Sequence, residues 1–496
     1  MFKMLLAVTG LLLLLFTGIG ITSCTESDDR DHDDDVTADD DNDTAHDDDD
    51  TEEDDDDDDD SGPYYDPTWA VPTDVLDPIR GRRVIRGIIH AHSIYSHDAC
   101  DEEPEGNTEC LMQMRRALCT TRQNYLMLTD HDDSFADNEF PDVLLHLPEM
   151  GDELLLDAHD RPVANVLRCE NDSKVTIMAG TENHIMPIHL HQHPGGTVQD
   201  RYELYGRSDP AVVPILRDLG ASVAVNHPEG WSIQSLIELA PDAVEIFNLH
   251  AAIDPDLREQ LGLQGLDFLD ELMAFLTDPL KPEPNLAIMT FFPITRAWTD
   301  RWDALLQVRR CYTVSATDVH RNALPFNLSD GERADGYRRM MQFFSNHALV
   351  DDETPQSLEQ AVDSGRHYSA FEFLGFPMGF DFYAQDAKGT YEMGQEPELS
   401  QDLTIHVKLP RPFHIDPQGP QPEIAIWLIR IDQSGSQIVA VSDTDLEYAV
   451  QSPAVFRAEV HIVPHHLEPF LGSNPGKYIH DYPWIYANPI YVRSSR

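Results

Sequence analysis

Five short apolar runs between residues 84 and 320 each lead into a histidine or a carboxylate, and this repetition constrains the fold more than any other feature of the chain. Residues 84–89 lead into His90 and His92, and residues 125–128 into Asp130 and His131. Residues 175–178 lead into Glu182, residues 222–225 into Asn226 and His227, and residues 312–314 towards Asp318 and His320. Helix-like stretches at 111–118, 211–219 and 268–275 lie between several of the runs. Strand and helix in alternation predict an α/β fold with a parallel sheet or barrel. In a (β/α) barrel the C-terminal ends of the strands form the active-site face. Side chains two apart on a strand share a face, so His90 with His92, and Asp318 with His320, are placed to converge. One histidine at a strand end is more often a packed residue than a ligand. Five strand ends of this composition predict a metal-binding cluster. Imidazole and carboxylate without thiolate suit zinc, manganese or iron.

The motifs HAHSIYSHD at 90–98, LTDHD at 128–132, GTE at 180–182, NHP at 226–228 and TDVH at 317–320 occur in that order, with VEIFN at 244–248 as a further strand. Over roughly residues 81–370 this set resembles the PHP (polymerase and histidinol phosphatase) family. The resemblance implies a distorted seven-stranded (β/α) barrel holding two or three divalent metal ions. It implies the ligands His90, His92, Asp98, His131, Glu182, His189, His227, Asp318 and His320, with Glu182 as the bridging carboxylate and Glu182, His227 and Asp318 as catalytic residues. Asp98 is preferred to His97 because Ser93, Ser96 and Asp98 match the family's spacing after the second histidine. Asp130 would stand behind the ligands or orient His131. The histidine expected after Glu182 is assigned to His189 by its spacing of seven, with His191 next and His184 and His193 also nearby.

Turn residues and strand-like runs at 403–409, 423–431, 438–441, 454–462 and 484–492, with no clear helix between them, predict a small all-β sandwich after about residue 371. The ending is similar to that of exported proteins of the PHP type. Tyr482, Trp484 and Tyr486 are either core or, less readily, a carbohydrate platform.

The first 23 residues read as a leader. Met1-Phe2-Lys3 is followed by an apolar stretch to residue 21 and then Ser23-Cys24. This is similar to a bacterial lipoprotein signal, which implies lipidation at Cys24, export and anchoring at the cell envelope, with Thr25 favouring the outer membrane. Residues 25–60 hold 24 acidic residues and one arginine, a composition that predicts a disordered, extended spacer over 24–62. Formal net charge is −56, and the rest of the chain is also acidic, with 66 acidic against 33 basic residues. Such a surface excludes nucleic acid as a partner. The organisation expected is therefore a leader (1–23), a linker (24–62), a hydrolase domain (63–370) and a β-sandwich (371–496).

With Cys24 set aside, Cys100, Cys110, Cys119, Cys169 and Cys311 are odd in number, so at least one thiol is free. One local disulfide among the first three is expected, with its pairing open. There is no CxxC zinc motif, no G-x-S-x-G elbow and no Walker A loop. The activity implied is hydrolysis of a small-molecule ester, first a phosphate ester, by a metal-activated hydroxide. The competing readings are a carboxylic or carbamate ester hydrolase and a non-catalytic envelope lipoprotein that binds a partner.

Overall fold

Strand β1 (Arg83–Ala91) lies at the centre of the molecule, and its sequence explains why: Val84, Ile85, Ile88 and Ile89 are all buried, so it has no solvent face. Gly87 is required by a close approach. A Cβ there would come 2.3 Å from the Tyr125 ring on the next strand. The computed structural model describes residues 64–101, 107–263, 265, 267–321 and 324–494. The leader, Cys24 and the Asp-rich linker lie outside the described residues.

Six further strands follow along the chain: β2 (Tyr125–Met127), β3 (Lys174–Met178), β4 (Met186–Ile188), β5 (Ser222–Val225), β6 (Ala243–Asn248) and β7 (Tyr312–Val319). They assemble in the order β3-β2-β1-β7-β6-β5-β4. Every neighbouring pair is parallel except β4–β5. The exits of β1, β5 and β7 therefore lie at one end, and the exit of β4 lies at the other. The expected closed barrel does not form by hydrogen bonding. Among the described residues no ladder joins β4 to β3. The strand Pro162–Arg168 occupies the second edge of β3 in antiparallel pairing, and the Leu190 N–H donates across the gap to the Ala179 carbonyl.

Helices cover the run where local signals allow. Asn107 caps Thr108–Thr120 by accepting from the Cys110 N–H, and Thr354 caps Pro355–Asp363 with proline at its first turn. In the second helix Leu358, Ala361 and Val362 share one face and pack among Ile85, Ile89, Tyr312 and Val314 in the strand core. Two disulfides, Cys100–Cys110 and Cys119–Cys169, brace the helix Thr108–Thr120, and Cys311 is the buried free thiol. The first is a local pair of the expected kind.

Strands β8 (Ser345–Val350) and β9 (His367–Ala370) extend the sheet in antiparallel pairing from the first half of β1. The strand Tyr482–Ala487 pairs with β9, and Ala454–Val463, Glu423–Asp432 and Gly435–Ser442 continue the same sheet. A separate four-stranded sheet contains Asp381–Asp386, Gly389–Glu392, Thr404–Lys408 and Leu446–Ala449. The architecture is mixed α/β with additional all-β strands that join the main sheet. Tyr482, Trp484 and Tyr486 are buried on this junction, with the Trp484 Nε1–H donating to the Gly375 carbonyl. They are core residues, not a carbohydrate platform.

Leu358 is the test of how the helix Pro355–Asp363 is held. Leu358→Ala is expected to destabilise the chain by about 2–5 kcal/mol in denaturant unfolding. A loss below about 1 kcal/mol would show that this helix does not seal the core.

Candidate metal centre

His90 and His92 leave β1 where its register against β7 shifts, and their rings lie 5.3 Å apart. His90 adopts φ 66°, His227 φ 46° and Asp318 φ 47°. Three residues other than glycine are thus held in the left-handed region at one site. Each costs about 1–3 kcal/mol, and such strain collects where function demands a particular side-chain direction.

Two buried carboxylates organise the centre. Glu182 Oε2 lies 3.3 Å from His90 Nε2, 3.3 Å from His92 Nε2 and 3.5 Å from His131 Nδ1. Its other oxygen faces His227 Nε2 at 3.4 Å and accepts from the Asn226 amide. Asp318 Oδ1 lies 3.3 Å from His90 Nε2, 3.0 Å from His92 Nε2 and 4.0 Å from His320 Nε2. Asp318 Oδ2 faces His227 Nε2 at 3.2 Å. Asp98 adjoins this cluster through His131 Nε2 at 3.1 Å and accepts from the Ser96 hydroxyl. His97 is exposed, with its ring stacked on His131 and its Nδ1 near Asp133.

The structure therefore brings together His90, His92, Asp98, His131, Glu182, His227, Asp318 and His320. It does not bring His189 to them. Ile188, the last residue of β4, pairs with Ser222, the first residue of β5. Because β4 runs antiparallel, the chain after it emerges at the opposite end of the sheet. There His189 Nε2 meets Asp363 at 2.9 Å, and His191 Nε2 meets Glu359 at 2.9 Å. His193 bonds Tyr205 and the Asn138 carbonyl, and His184 is exposed.

Glu245 went unassigned in the sequence, although a lone carboxylate within the apolar run of β6 was a legible signal, since a buried charge needs partners. It is fully buried, meets His90 Nδ1 at 2.6 Å, and accepts from the His227 N–H and the Asn248 amide. Contacts of this kind fix the orientation of a metal-binding imidazole. Glu229 lies 3.4 Å from His227 Nδ1 and accepts from Trp298 Nε1–H. Asp130 accepts from the Ser93 N–H and hydroxyl, not from His131. His250, also unassigned, packs its ring 4.7 Å from that of His320.

Burial alone would depress His92 and raise both carboxylates. Asp318 and Glu182 nevertheless hold His92 up at about 10, and His90 holds Glu182 and Asp318 well below the usual carboxylate range. Burial pushes Asp130 up to about 6. The cluster thus has acceptor atoms close together and a strong demand for positive charge between them. Nε2 of His90 is buried without a hydrogen-bond partner while facing both carboxylates. Separations of 3.0–3.5 Å between imidazole nitrogens and carboxylate oxygens match ligands about 2.0–2.2 Å from one shared cation. The residues fit divalent metal ions in two adjoining groups: His90, His92, Glu182 and Asp318, and His92, Asp98 and His131.

No family model and no curated protein matches the chain. Among solved structures, a two-domain protein of Bacteroides vulgatus ATCC 8482, described as containing a predicted PHP-like metal-dependent phosphoesterase, aligns over 82% of this chain and 96% of its own. Its TM-score is 0.32 and its identity 10%, a likeness too low to bear on fold or activity here.

Glu245→Gln is expected to leave the fold intact and weaken zinc binding roughly 10–100-fold, because it loosens His90. Competition with a chromophoric chelator measures this. Unchanged affinity would remove Glu245 from the centre's support.

Proposed function

We propose that the chain is a metal-dependent hydrolase of the PHP type, acting first on phosphate esters. One observation carries this reading: Glu182 and Asp318 are buried side by side among the rings of His90, His92 and His227, with His131 and Asp98 adjoining. His90, His92, Glu182 and Asp318 would hold one ion, and Asp98 and His131 would belong to a second. His227 and His320 flank Asp318 and complete the donor set. The chemistry that divalent ions bring to such a site is Lewis-acid polarisation of the ester and a lowered pKa for water.

The chain's own residues supply position. Asn226 and Asn248 donate to Glu182 and Asp318 and fix their planes, while Glu245 fixes His90 and the His227 backbone. Three divalent ions would bring six positive charges against the Asp98, Glu182 and Asp318 carboxylates that would bind them, so a fully loaded ligand set would be net positive within a chain of formal net charge −56. That polarity favours an anionic substrate. The seven-strand α/β core and the all-β strands that follow it belong to this family reading. So do export and anchoring through Cys24, for which the apolar leader and the acidic spacer are the support.

The full chain is expected to hydrolyse an aryl phosphate, to lose that activity on chelation, and to regain it with zinc or manganese. His92→Ala and Asp318→Asn should fall to the rate of the metal-free chain. Undiminished turnover by both variants would sink the assignment, and turnover of aryl carboxylic esters alone would transfer it to carbonyl chemistry. For the anchor, Cys24→Ser is expected to abolish incorporation of labelled palmitate into the full chain. Equal labelling of the variant would refute lipidation there.

A further inference from the structure

The histidines that follow β4 stand in a second cluster, at the opposite end of the sheet from the proposed active centre. His189 and His191 are two apart on the chain leaving β4. Glu359 and Asp363 are four apart on the helix Pro355–Asp363, so they share a face one turn apart. The two pairs meet. His189 Nε2 lies 2.9 Å from Asp363 Oδ1, and His191 Nε2 lies 2.9 Å from Glu359 Oε1. Ligand atoms of His189, His191 and Glu359 all fall within 4.8 Å of one another. In a tetrahedral zinc site with bonds of about 2.0–2.1 Å, neighbouring ligand atoms stand about 3.3 Å apart. The cluster needs only a small adjustment to reach that arrangement.

Two ordinary ion pairs would also place these groups side by side, but they do not require ligand atoms of both histidines and Glu359 to come within reach of one ion, as they do here. His189 is 1% exposed, and no hydrogen-bond partner stands at its Nδ1. His189 is also held at φ 46°. The close fit extends to His191, whose ring lies where a Cβ on Gly220 would stand, 2.6 Å from its Cγ.

We infer that His189, His191 and Glu359 form a second site, structural in kind, for a divalent transition ion of the zinc class, with Asp363 beside them on His189 Nε2. Two imidazoles and a carboxylate are a ligand set that such an ion takes. Its place in the fold indicates its purpose. The helix that carries Glu359 and Asp363 seals the strand core with Leu358, Ala361 and Val362, and β4 is the strand that no ladder joins to β3. An ion there would fasten the exit of β4 to that helix, beside the hydrogen bond from the Leu190 N–H to the Ala179 carbonyl.

The test uses the full chain purified without chelator and loaded with Zn²⁺ alone. Metal content is measured by elemental mass spectrometry for the wild type, His92→Ala and a His191→Gln/Glu359→Gln double variant. The double variant is expected to lose one equivalent of zinc, and His92→Ala to retain that equivalent while losing metal elsewhere. Zinc should raise the Tm of His92→Ala but not of the triple variant His92→Ala/His191→Gln/Glu359→Gln. Glu359→Gln alone, which preserves side-chain shape, should weaken the same equivalent at least tenfold. Wild-type stoichiometry in the double variant, or unchanged zinc affinity in Glu359→Gln, overturns the site whatever becomes of the active centre.

Discussion

Glu182 and Asp318 place two carboxylates in the interior around the same imidazoles, and the surrounding structure answers that requirement. Both are almost fully buried, and both face His90 Nε2 at 3.3 Å. Removing an ion from water costs several kcal/mol even after relaxation, so such a pair survives only where positive charge and hydrogen-bond donors converge on it. The chain meets this with rings from β1, from the turn after β5 and from the segment after β2, and with amides from Asn226 and Asn248. The left-handed backbone at His90, His227 and Asp318 is the local cost of aiming those groups.

Much of this was legible because the residues that meet are the ones that end strands. A parallel sheet gathers the exits of its strands at one end, so a sequence in which apolar runs terminate in histidine or carboxylate already brings their side chains together. His189 shows where that logic stops. An apolar run of three, Met186–Ile188, carries no mark of its direction, and hydrophobic pattern is the same read either way. Only the pairing of Ile188 with Ser222 shows that β4 is reversed and that its exit belongs to the other end. Spacing from Glu182 could not supply that information.

A similar limit explains the C-terminal region. Its strands were visible as alternating apolar runs, but their partners were not. Strand Tyr482–Ala487 pairs with β9, more than a hundred residues earlier, and so joins the same sheet as β1. The pairing buries Trp484 and Tyr482 that sequence alone left free to serve as a binding face. Glu245 is the opposite case: its position in an otherwise apolar strand was information that motif matching passed over, because the motif drew attention to the strand and not to its charge.

The two histidine–carboxylate clusters occupy opposite ends of one open sheet, and this has a thermodynamic consequence on the metal-binding reading. An ion that binds the folded chain and not the unfolded one stabilises it in proportion to the logarithm of free metal over the dissociation constant. At the active end, that free energy would offset the buried carboxylates and the strained backbone of three ligands. At the other end, it would tie the exit of β4 to the helix Pro355–Asp363. Folding and metal loading then become one equilibrium. In an acidic chain of net charge −56, that coupling favours folding wherever divalent cations are plentiful and weakens it where they are scarce.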